Sequence, residues 1–174
     1  MSAFVNFAAY QLAWFAVVLG AARGLAWAGA SVAILVALLH LGLRRDAREL
    51  RLIGLSALIG LLVDSVLAIT HQVHFAGWPL DVAPYWMLSL WMAFATTLNH
   101  SLRWLMSRPV AAALGGALGG PLAYLAGAQL GALSIPAAAT ALPLIALLWT
   151  AAMLALSMFM RRTSILSPPA RVPA

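Results

Sequence analysis

The chain has 174 residues, of which 64% are hydrophobic and 8% charged, and its mean hydropathy is +0.99. Soluble chains carry about one quarter charged residues, so this composition excludes an ordinary water-soluble domain. The formal charge of +6 comes from ten arginines and no lysine. No basic face with a stacking platform accompanies it, which argues against nucleic acid and for arginine-rich loops beside anionic headgroups.

A membrane span needs about 20 apolar residues, and six stretches meet that length. The first is Ala3 to Ala22; it lacks a positive leading region, so it reads as a retained helix and not a signal peptide. The second is Leu25 to Leu43, the third about Leu50 to Thr70, and the fourth Ala83 to Leu105. Val110 to Gln129 makes the fifth. The sixth lies within Pro136 to Met160, expected to be helical from Pro143 because proline suits a first turn.

Nine of the ten arginines fall in three clusters at 44–51, 103–108 and 161–171, around the inner ends of spans two, four and six, with Arg23 as the exception, while loops 71–82 and 130–135 carry no arginine or lysine. The positive-inside rule then places both termini in the cytoplasm. Trp27, Trp78 and Trp86 mark the outer interface and Trp104 the inner one. The segment RRDARELR reads as a short surface helix. Its Arg44, Arg48 and Arg51 repeat at i, i+4 and i+7 to meet anionic headgroups or a docking partner, and Arg45 pairs with Glu49. The tail 161–174, with Pro168 and Pro169, reads as disordered. The expected architecture is all-α, a single six-helix transmembrane domain over residues 1–160.

An acid in mid-membrane costs roughly 2.5–3.5 kcal/mol on insertion scales, so it marks a site by default. Asp64 fills that description. It lies about 21 Å along its helix at 1.5 Å per residue, on a small or polar face with Ala57, Gly60, Ala68 and His71, and Tyr124 of span five reaches the same depth. A structural hydrogen bond between the two competes with substrate binding or proton relay. His71 and His74 near Asp81 have metal-ligand spacing, but the flanking Phe, Gly and Pro read more simply as an interfacial loop, so no metal or cofactor is expected.

Span four carries Ser89, Thr96, His100 and Arg103 on one helical face, flanked by Thr97 and Asn99. Asn6 and His40 belong at a similar level. A polar pocket opening to the cytoplasm, built from Asn6, His40, Asn99, His100 and Arg103, is the leading candidate site; an interhelical hydrogen-bond network worth about 0.6 kcal/mol per bond is its plain alternative. In span five, Gly115, Gly116, Gly119 and Gly120 precede Pro121. Gly116, Gly120, Tyr124, Gly127 and Gly131 make a smooth face for close helix packing or a homodimer. Pro121 should kink the helix, or break it into a transporter-like binding site.

The stretches FAAYQLAWFAVVLG, LLVDSVL, FATTLNHSLRWL and GGPLAYLAGAQLGAL resemble an uncharacterised family of bacterial six-helix inner-membrane proteins, known as a domain of unknown function. The resemblance covers nearly the whole chain. It implies Asp64, Thr96, Thr97, His100, Trp104, Pro121 and Tyr124 as motif positions, and a connection to lipids through neighbouring genes similar to cyclopropane-fatty-acid synthases.

Three functions follow as expectations. The first is a protein binding a membrane lipid, or a lipid-modifying partner, through the inner pocket and the arginines. The second is a lipid-modifying enzyme with His100 as acid/base, Asn6, Asn99 and Arg103 holding a headgroup. The third is a small transporter coupled to protons by Asp64.

Overall fold

The computed structural model describes residues 2–163. They form seven helices: α1 (Ala3–Ala22), α2 (Ala26–Arg44), α3 (Ala47–Ile69), α4 (Tyr85–Leu98), α5 (Arg103–Met106), α6 (Pro109–Gln129) and α7 (Ala138–Arg162). Two-residue strands β1 (His74–Phe75) and β2 (Leu133–Ser134) pair antiparallel and join the α3–α4 and α6–α7 loops. Five helices, α1, α2, α3, α6 and α7, are long and apolar enough to cross a membrane. Their outward faces are greasy: Leu114, Leu118 and Leu122 make an exposed stripe on α6, as lipid solvation requires.

Span four differs from expectation. Its helix, α4, has 14 residues and ends at Leu98. Turn residues 99–102 and the four-residue α5 follow. The polar stripe from Ser89 to Arg103 is therefore not one helical face; His100 leaves on the turn and Arg103 opens α5. The short helix is sheathed by protein, with eleven of its fourteen residues buried, among them Trp86, Trp91 and Phe94. It runs antiparallel to α3. The Ala83 amide donates to Ser65 Oγ (3.0 Å) at one end, and Asn99 donates to Glu49 at the other (2.7 Å).

Among the described residues, the arginines at the end of α2 and start of α3, around α5 and at the end of α7 share one end of the bundle. Asn6, early in α1, accepts from Ser101 Oγ (2.8 Å), and Ser157, late in α7, donates to the Met106 carbonyl (2.7 Å). The RRDARELR segment is not a surface helix. Arg45 adopts a left-handed conformation (φ 50°) that ends α2, and Asp46 caps α3 by accepting from the Arg48 amide (2.8 Å). Arg44 thus closes one helix while Arg48 and Arg51 sit on the next, and the expected stripe is split.

The helix α7 starts five residues before Pro143 and runs through it, and α6 runs unbroken through Pro121. Neither proline breaks a helix, which removes the interrupted-helix site. The glycine face of α6 packs within the chain. A Cβ on Gly116 would lie 2.5 Å from the Trp149 carbonyl oxygen, and one on Gly120 2.4 Å from the Trp149 ring. Gly131 lies beyond the helix with φ 85°. The tail expected to be disordered lies, from residue 164 on, outside the described residues.

Candidate functional site

At the arginine-rich end, the hydrophobic face of α3 begins with an acid. Glu49 shares that face with Ile53, Ser56, Gly60 and Asp64, all buried, and is itself 3% exposed. It makes no pair with Arg45. Its Oε2 lies 3.2 Å from His40 Nε2, its Oε1 accepts from Asn99 Nδ2 (2.7 Å), and His100 Nε2 stands 3.6 Å from Oε1. The two imidazoles meet edge to face with centroids 4.9 Å apart. The Arg44 guanidinium donates to His100 Nδ1 (2.7 Å), so that nitrogen accepts and the neutral ring carries its proton on Nε2, toward the carboxylate.

The predicted inner residues divide into two groups. His40, Asn99 and His100 gather on Glu49, the acid the sequence reading had sent to the surface. Asn6, 2% exposed, turns elsewhere: it donates to the Thr96 carbonyl (3.1 Å) and accepts from Ser101. Thr96 and Thr97 spend their hydroxyls on the carbonyls of Ala93 and Phe94, each at 2.7 Å, one turn back in their own helix. Arg103 opens α5, partly buried. His71 and Asp81 are exposed and 3.9 Å apart.

A second centre lies deeper. Asp64 is fully buried and accepts from the Tyr124 hydroxyl and from Trp91 Nε1 (3.0 Å). The meeting of Asp64 with Tyr124 follows the depth argument; Trp91 was missed, because a tryptophan in an apolar run gives no sign of where its indole points. Gly60 makes room for it: a Cβ there would sit 2.1 Å from the Trp91 ring. Trp91 stacks on Trp149 of α7 at 4.6 Å and 30°.

That stack forms one wall of a groove. Helix α4 packs on α1, α2 and α3, whereas α6 packs on α7, which leans on α3. This leaves a half-open, mostly apolar groove with a cavity volume of about 50 Å³ between α1 and α6. Tyr10, Trp14 and Val18 line it from α1, Trp86, Trp91 and Phe94 from α4, Ala123, Tyr124 and Gly127 from α6, and Trp149 from α7. From Tyr10 to Val18 it follows α1 for about 12 Å at 1.5 Å per residue. One turn below Tyr10, the bonds from Asn6 to Thr96 and Ser101 tie α1 to α4. None of the His40–Glu49–His100 residues lines the groove, so the two centres are separate.

Residues 3–155 match a family described as "Protein of unknown function (DUF2878)", and the chain belongs to that family. No curated protein and no solved structure matches it.

Proposed function

We propose that this family member is a six-pass inner-membrane protein that binds a membrane lipid, with a hydrocarbon chain of the lipid in the groove between α1 and α6. In this reading the buried α4 supplies the sixth pass, and the arginine-rich end, including both termini, faces the cytoplasm. The groove carries the reading. It lies between two helices long enough to span a bilayer, it is lined by aromatic rings suited to apolar chains, and it abuts the buried Tyr124–Asp64 pair. Binding is thereby moved from the inner polar residues to the side of the bundle. Arg48 and Arg51, exposed at the cytoplasmic end, contact anionic headgroups of the surrounding bilayer.

Native mass spectrometry of the protein released from mild detergent tests this. The wild type should carry one tightly held lipid, and Ala123→Trp, which fills the groove from its half-buried rim, should lose it. Equal lipid retention by the folded variant would contradict the proposal.

The enzyme reading gains one observation. Glu49 beside His100 supplies the acid partner that a general acid/base at His100 requires. Loss of a cellular lipid species in His100→Ala, but not in Ala123→Trp, would favour it.

A further inference from the structure

His40, Glu49 and His100 come from two helices and a turn that are far apart in sequence, yet their ligating atoms all lie within 4.8 Å of one another. We propose that they form a binding site for a divalent transition metal of the zinc class, independent of the lipid groove. Two imidazoles and one carboxylate, with no thiolate, are a ligand set that such ions take, and three protein ligands leave a position open. The spacing fits. Ligands at about 2.0–2.1 Å from a tetrahedral ion stand about 3.4 Å from each other; here His40 Nε2 is 3.2 Å from Glu49 Oε2 and His100 Nε2 3.6 Å from Oε1. One ligand atom from each residue lies within 4.8 Å of the others, so the two carboxylate oxygens share the ion or the set draws in slightly around it. The 3.6 Å separation is too long for a hydrogen bond, and His100 Nε2 is buried there without a partner.

The surroundings are those of a held ligand set. Asn99 donates to the carboxylate and fixes its plane, a support that metal-bound carboxylates commonly have. His40 is 2% exposed and Glu49 3%, so neither has conformations to lose on binding. The His100 side chain is 13% exposed, which gives an ion access from the arginine-rich end.

Arg44 opposes the ion. A metal on His100 Nε2 moves the ring proton to Nδ1, where the Arg44 guanidinium now donates, so two donors would collide and the guanidinium must swing away. Its charge also repels a cation. The site therefore predicts an unusual variant: removing Arg44 tightens binding.

The test uses the full-length protein in detergent, stripped with a chelator and titrated with Zn²⁺ by calorimetry and with Co²⁺ by visible absorption. We expect one Zn²⁺ per chain and tetrahedral Co²⁺ bands. Binding should weaken at least tenfold in His40→Ala, Glu49→Gln and His100→Ala, stay unchanged in His71→Ala, and strengthen in Arg44→Ala. Glu49→Gln preserves the side-chain shape, and a thermal melt confirms that it is folded. Absence of stoichiometric binding, or binding that survives Glu49→Gln and His40→Ala, would overturn the site. Lipid retention reports on the groove separately, so either result stands without the other.

Discussion

The Tyr124 hydroxyl donates to the Asp64 carboxylate and so ties α6, with its partner α7, to the helices around α4. Removing the hydroxyl leaves a buried carboxylate oxygen without that donor, at a cost of about 1–3 kcal/mol. Tyr124→Phe should therefore lower stability in detergent unfolding by that amount. Thr96→Val, whose hydroxyl only bonds back to its own helix, should cost less than about 1 kcal/mol. Equal losses would show that the tie is not stabilising.

Gly60 and Gly119 separate a close contact from an open one. Alanine at Gly60 drives a methyl into Trp91 and should cost at least about 1–3 kcal/mol as overpacking. A Cβ at Gly119 meets nothing within 4 Å, so Gly119→Ala should be neutral or stabilising by up to about 1 kcal/mol. Thermal midpoints of the two variants check the order.

Glu49 distinguishes a buried cluster from a surface pair. An exposed i, i+4 pair with Arg45 would be worth about 0.2–0.5 kcal/mol. In the cluster, Glu49→Ala strips the acceptor from Asn99 and His40 and should cost about 1–3 kcal/mol. A loss no greater than that of Arg45→Ala would place Glu49 back on the surface.

The long helices were legible because membrane solvation demands continuous apolar length, which composition displays directly. Asp64 and Tyr124 were legible because helical rise converts residue number into depth. Glu49 was misplaced because it sits among arginines, where local charge suggests a surface; yet it continues the buried face through Ile53, Ser56, Gly60 and Asp64 at helical spacing, and that periodicity is the signal that finds it. The end of α4 at Leu98 has no proline or glycine to announce it. The turn is held by tertiary bonds from Asn6 and Glu49, which no local pattern encodes. The groove was hidden for the same reason, since its walls come from four helices.

Topology is testable cleanly because the chain has no cysteine. A single cysteine at Ser107, beyond α4 and α5, should react with a membrane-impermeant maleimide only after cells are opened, and one at Gly77, in the loop before α4, in intact cells. Labelling of both positions from the same side would contradict six passes and leave the five long helices as the spans.

The lipid-binding account is tested most directly by photo-crosslinking with a phospholipid carrying a diazirine in its acyl chain, followed by peptide mapping. The account predicts dominant adducts on the groove residues Tyr10, Trp14, Ala123 and Gly127, reduced in Ala123→Trp. Adducts spread evenly over the exposed Leu114, Leu118 and Leu122 face, with the groove no more labelled than the rest, would contradict it.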